Sequence, residues 1–167
     1  MKRILAVLLA VMLLIAVIPA TSLAEGAAIN SKGDVTMYHV GTQRDNLRMH
    51  SGPGTSYRIV GRLPKNTALV KLGSESKGWV KVRTMNGLEG YVSANYVKKY
   101  AYANVTTQVD PLRVRSSRST KSDKNIKGRI PHGTTHVTVT KTNGNWAYVK
   151  YGKLTGWASL SYLRWSL

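Results

Sequence analysis

The chain has 167 residues, with 25 Lys and Arg against 7 Asp and Glu, a net charge of +18 and no cysteine. That length holds one or two small domains. The missing cysteine excludes a disulfide framework, a thiolate metal site, a cysteine nucleophile and a lipid-bearing cysteine.

Lys2 and Arg3 precede an uninterrupted apolar run from Ile4 to Ile18. Pro19 ends the run, and Ser22-Leu23-Ala24 places small residues where a signal peptidase reads. A basic start, an apolar middle and a small-residue end predict a secretory signal peptide over residues 1–24. The apolar run is shorter than the roughly 20 residues of a spanning helix, so no stable membrane span is expected after cleavage. Residues 25–34 are small and polar, and read as a flexible leader. Loss of Lys2 and Arg3 leaves a net charge of +16 on the exported chain. Such a protein collects on anionic surface polymers. Export argues against nucleic acid as a dedicated partner, and the charge equally serves solubility.

The remainder repeats itself. Leu47-Arg48-Met49-His50-Ser51 matches Leu112-Arg113-Val114-Arg115-Ser116, and residues 59–67 match 126–134. Trp79-Val80-Lys81-Val82 matches Trp146-Ala147-Tyr148-Val149, and residues 88–97 match 154–163. Across these blocks 14 of 28 positions are identical. Two copies of one small domain are the reading, at residues 35–97 and 104–163. Residues 98–103 read as a linker and residues 164–167 as a bare tail.

Each copy alternates apolar and polar residues in short runs separated by Gly, Asn, Pro and Ser, which predicts strands and turns rather than helices. Leu47 and Met49 share one face, with Arg48 and His50 opposite. Ala68, Val70 and Leu72 are expected to share a core face, as are Val80 and Val82. The second copy gives Leu112/Val114, Thr135/Val137/Val139 and Ala147/Val149, with His136 aligned to Leu69. Asn86-Gly87 and Asn143-Gly144-Asn145 read as turns. Ser93 and Ser159 each stand where a hydroxyl starts one turn of 3-10 helix. The loop after Ser116 is two residues longer than its counterpart after Ser51.

Asn46-Leu47-Arg48-Met49-His50-Ser51-Gly52-Pro53 resembles the opening motif of bacterial SH3-like domains. Residues 59–67, Gly78-Trp79-Val80-Lys81-Val82, Gly90-Tyr91-Val92-Ser93 and Tyr96-Val97 resemble the later segments of that family. The second copy matches the same blocks, with Pro111 in place of the Asn and Ser117-Arg118 in place of Gly52-Pro53. The resemblance implies an all-β chain of two tandem small SH3-like β-barrels. It also implies adhesion to peptidoglycan or its peptide bridges, or to another protein.

Little in the residues points to chemistry. No two of the seven acids are placed by the repeat as a glycosidase pair. His132 and His136 lie in a turn and the strand after it, with no third ligand near, so neither a metal site nor a cofactor is expected. The expectation is a secreted, non-catalytic, wall-associated binding protein. Its partner would be a cell-wall polymer or peptide, with a protein partner or an anionic surface polymer as alternatives. The sequence sets no oligomeric state. Trp79, Trp146, Tyr91 and Trp157 fall opposite the core positions and offer flat rings with a polar edge. Arg48, His50, Arg113 and Arg115 are expected outward on a neighbouring strand, to meet carboxylates or phosphates. Tyr57 is expected to wall the same groove.

Overall fold

The computed structural model describes residues 33–166. The predicted signal peptide and all of the expected leader before Gly33 lie outside those residues. In chain order the first seven strands are β1 Val35–Val40, β2 Leu47–His50, β3 Ile59–Leu63, β4 Ala68–Lys71, β5 Trp79–Thr84, β6 Glu89–Ser93 and β7 Val97–Lys98. The next seven are β8 Ala101–Val105, β9 Leu112–Arg115, β10 Ile126–Ile130, β11 Val137–Asn143, β12 Trp146–Tyr151, β13 Leu154–Ser159 and β14 Leu163–Trp165. The fold is all-β. Its helical turns are short 3-10 pieces at Ala94–Tyr96, Asp123–Asn125 and Leu160–Tyr162.

Both halves pair their strands in one antiparallel order. The first runs β7-β1-β4-β5-β6-β2-β3, the second β14-β8-β11-β12-β13-β9-β10. The halves are not separate closed barrels, however. Val35 and Thr36 project beyond the part of β1 that β4 covers, and pair with Thr142 and Lys141 of β11. All the strands thereby join one sheet, whose main path ends at β3 and β10, with β7 branching from β1 and β8 with β14 from β11. This junction satisfies backbone groups that would otherwise be an exposed edge.

Two apolar clusters follow. One holds Tyr38, Val40, Leu47, Met49, Leu63, Leu69, Val80, Val82, Val92 and Val97. The other holds the second-half counterparts, such as Val105, Leu112, Val114, Ile130, Ala147 and Val149, together with Met37, Ala68 and Val70 of the first half. β4 is therefore buried on both faces. Leu69 fills its own half, while Ala68 and Val70, expected there, pack across the junction.

The second half buries Val137 and Val139 as expected, but it differs from the first half by one inserted residue, and Thr135 is left out of the core. Leu69 pairs with Tyr38, and at the same place Val137, not His136, pairs with Ala103. Thr135 and His136 occupy the space that Ala68 fills alone. His136 takes a left-handed φ of 58° and its N–H donates to Asn104 Oδ1 at 3.1 Å. Thr135 is exposed as a result, and Val137 and Val139 are fully buried. A single inserted residue exchanges the faces of everything after it until a compensating irregularity, which here falls between Val139 and Lys141.

Gly90 and Gly156 let β6 and β13 cross close to β2 and β9. A Cβ on Gly90 would lie 2.8 Å from the His50 carbonyl oxygen, and one on Gly156 would lie 2.5 Å from that of Arg115. These are sites of close backbone approach.

Three segments are more ordered than expected. Ala101–Ala103 are strand, which leaves Lys99 and Tyr100 between β7 and β8. Leu163–Trp165 pair with β8, Trp165 packs on the second cluster, and Ser166 is buried, so the stretch to residue 166 is no bare tail. Asp34, the end of the expected leader, is held by Lys141 Nζ and by Asn143 Nδ2 at 2.8 Å. Those contacts lower its carboxyl pKa below the ordinary value.

Candidate functional site

Each half carries a groove at the same place. The first is about 700 Å³ and is bordered by residues 41–46 after β1, by Arg48 and His50 of β2, by Trp79 opening β5, and by Ser93 and Tyr96 around a 3-10 turn. The second is about 520 Å³ and is bordered by residues 107–111 after β8, by Arg113 and Arg115 of β9, by Trp146 opening β12, and by Ser159 and Tyr162. Both frames are fixed by matched backbone bonds. Gly41 N–H donates to the Tyr96 carbonyl at 2.8 Å, and Thr106 N–H to that of Tyr162 at 2.9 Å. Ala94 N–H donates to Gly78, and Leu160 N–H to Asn145, which ties each Trp-bearing turn to its 3-10 turn.

Of the residues singled out from the sequence, Arg48, His50 and Trp79 meet in the first groove, and Arg113, Arg115 and Trp146 in the second. Tyr57, Tyr91 and Trp157 border neither. Tyr57 lies over Gly52 and Gly54 on the loop after β2. Tyr91 pairs with His50 in the ladder, and Trp157 with Arg115. The Trp157 ring instead meets Tyr148 edge-on at 5.2 Å, with Arg118 and Lys141 within 5.5 Å of its face.

His50 and Arg115 sit opposite the core as expected, but they are buried rather than outward, because the loop after the strand folds over them. His50 is 5% exposed; its Nδ1–H donates to the Tyr57 carbonyl at 2.8 Å and its ring meets Trp79 edge-on. Arg115 is 4% exposed. Its Nη1 donates to the Ser122 carbonyl at 2.9 Å and to Asn125 Oδ1 at 2.7 Å, and its Nη2 to Asp123 Oδ1 at 3.2 Å. Arg115 therefore anchors the longer second loop. Asn125 completes that anchor by donating to Ser117 Oγ and to the Ser119 carbonyl.

Arg48 and Arg113 are exposed and make no ion pair among the described residues. Each stands opposite another arginine in its ladder, Arg62 and Arg129 respectively. Like charges placed side by side oppose pairing, and both halves keep them. The result is a cationic edge on each groove.

Sequence reasoning missed the segment between β1 and β2. Thr42-Gln43-Arg44-Asp45 is repeated as Thr107-Gln108-Val109-Asp110, and all eight residues border the grooves. The signal was present as a four-residue block with three identities immediately before a repeat already recognised. The Thr42 and Thr107 hydroxyl oxygens are buried without a hydrogen-bond partner. Among the described residues no group of three or more His, Asp or Glu is arranged to hold a metal ion. No helix among them is long and apolar enough to cross a membrane.

Residues 45–98 match the family model described as bacterial SH3 domain, so the first half contains one such domain. The chain is 30% identical over 128 residues to YrvJ of Bacillus subtilis (strain 168), a protein provisionally named N-acetylmuramoyl-L-alanine amidase. That alignment takes in 71% of this chain and 24% of YrvJ, so the chain spans about a quarter of that relative. Among solved structures, NlpC2 of Trichomonas vaginalis gives a TM-score of 0.44 at 18% identity, covering 81% of this chain and 49% of its own. NlpC1 of the same organism gives 0.42 at 17% identity, covering 87% and 51%.

Proposed function

We propose that the chain is a secreted, non-catalytic adhesion protein whose two SH3-like units hold cell-wall peptidoglycan, or its peptides, in two equivalent grooves. The observation that carries this reading is the recurrence of one groove in both halves. Thr, Gln, Asp, Leu, Arg, Trp, Ser and Tyr return at matched places. All but the leucine are polar or aromatic, and Gln43, Asp45, Arg48 and Tyr96 are exposed together with their counterparts Gln108, Asp110, Arg113 and Tyr162, which is not the pattern of a repeat kept for core packing alone. The bacterial SH3 match and the wall-amidase name of the relative point the same way. Trp79 and Trp146 supply a flat wall for a sugar ring or peptide plane, and Arg48 and Arg113 a cation for a carboxylate. Two weak sites on one chain gain avidity on a polymer that repeats its own epitope.

The non-catalytic part of the proposal is supported by the lack of any cysteine nucleophile and by the surroundings of the two buried histidines, whose rings pack against Tyr100 and Tyr102 at His39 and against Trp79 at His50 rather than against a Ser or Thr hydroxyl.

A pull-down on purified wall sacculi over a salt series tests the reading. Retention should persist at moderate salt and fall when Arg48 and Arg113 are both replaced by Gln, or when Trp79 and Trp146 are both replaced by Ala. The Arg variants alter exposed side chains, so they separate lost binding from lost folding; a melting curve controls for the Trp variants. Retention that vanishes with salt and ignores all four substitutions means adsorption by net charge. Release of soluble muropeptides by the purified chain means an enzyme.

A further inference from the structure

Acids are scarce in this protein, seven against 25 bases, and most of those near a base are used by it. Asp34 pairs with Lys141, Glu89 with Lys81 and Arg83, and Asp123 with Arg115. Asp45 and Asp110 are different. Both border a groove, at the same place in each half. Both are exposed, and among the described residues neither makes an ion pair or a side-chain hydrogen bond, although Arg48 or Arg113 borders the same groove. An unpaired carboxylate at equivalent points of two grooves stands out in a chain of net charge +18. Solubility does not need it, and no turn or cap in the structure uses its oxygens.

We propose that Asp45 and Asp110 receive the ammonium group of a ligand, so that each groove takes a peptide segment carrying a free amino group. This deepens the proposed function and rests on its assignment of the grooves as peptide sites. The arrangement is bipolar. The carboxylate takes the amino group, and the arginine three positions further on takes an ionised carboxyl group of the same ligand. Trp79 and Tyr96 border the first groove with them, and Trp146 and Tyr162 the second. The selectivity has a physical basis, because a free cation is repelled by the protein's overall field. An ammonium group is accepted only where a local carboxylate outweighs that field, and its attached carboxyl group compensates at the arginine. A purely anionic polymer gains nothing from Asp45 or Asp110.

The test is an NMR titration of the full chain with three probes: tri-alanine with both termini free, its N-acetyl form and its C-terminal amide. Tri-alanine should shift backbone resonances in residues 41–46 and 107–111. Loss of one charge-assisted contact should weaken binding about tenfold for the acetylated probe. An Asp45→Asn, Asp110→Asn double variant should bind the free and acetylated probes equally. Equal binding of those two probes by the unsubstituted chain overturns the proposal. So does an unchanged preference in the double variant, and so does a failure of tri-alanine to bind at all. Sacculus retention measured in parallel separates the two readings. Sacculi held without any amino-group preference among the peptides end this inference alone. Amino-dependent peptide binding without retention on sacculi ends the wall reading alone.

Discussion

Thr42 in the first half and Thr107 in the second occupy equivalent places, and each carries a buried hydroxyl oxygen with no hydrogen-bond partner. An unsatisfied buried hydroxyl costs about 1–3 kcal/mol. Replacing either by Val keeps the shape and removes the penalty. Each substitution should therefore raise stability by about 1 kcal/mol in urea unfolding, the lower end of that cost. Thr42→Val and Thr107→Val that both destabilise the chain would show that the hydroxyls have partners in solution.

Arg113 and Arg115 are neighbours on β9 with opposite fates. Arg115 is buried and spends its guanidinium on Ser122, Asp123 and Asn125. Arg113 is exposed and makes no ion pair among the described residues. Arg115→Gln should destabilise the protein by about 1–3 kcal/mol, since the loop carbonyl and amide it serves lose their donors. Arg113→Gln should leave the melting curve unchanged within about 0.5 kcal/mol, as surface substitutions do, and weaken sacculus retention. Equal stability losses from the two substitutions would refute this division.

Strand phase was readable wherever the repeat ran without insertion. Leu47, Met49, Val80, Val82 and their partners Leu112, Val114, Ala147 and Val149 are all buried as alternation predicts. Alternation failed at β4 and at Thr135, just before β11, for two physical reasons. β4 is covered on both sides, so Leu69 and Val70 are buried together and no face reads as polar. Before β11 an inserted residue, taken up by the left-handed His136, left Thr135 exposed, while Val137 and Val139 are buried as alternation predicts. Alternation also identified the side on which His50 and Arg115 point, but it says nothing of a loop folding over that side. The junction was invisible for a related reason. Val35 and Thr36 read as ordinary strand residues, and only the three-dimensional placement of β11 gives them a partner from the other half.

That junction predicts how the chain unfolds. Met37 belongs to the first half and is fully buried in the cluster of the second, opposite Val70 in the β1–β4 ladder. Met37→Ala should cost about 2–5 kcal/mol, the range for deleting a large buried side chain. A shared core also couples the halves, so calorimetry of the intact chain should show one transition. Two resolved transitions, or a loss below about 1 kcal/mol in Met37→Ala, would mean that the halves are only loosely apposed.

The same junction carries a pH dependence at His39. The ring is 4% exposed, its Nδ1–H donates to the Tyr100 carbonyl at 2.7 Å, and the rings of Tyr100 and Tyr102 lie 4.7 and 5.1 Å away. Burial holds its pKa below the ordinary 6.5; the Tyr100 carbonyl opposes that shift, and Lys98 adds to it. The unfolded chain therefore binds a proton at a higher pH than the folded one. Stability from this group is complete above 6.5 and is lost as pH falls toward the lower folded value. The second half has Asn104 at the matching place, one residue before Val105 as His39 precedes Val40. His39→Asn should thus fold. Melting temperatures measured between roughly pH 8 and about pH 5, the interval in which histidine titrates, should fall with acid in the unsubstituted chain and fall less in the variant. Parallel curves for the two proteins would place the acid sensitivity elsewhere.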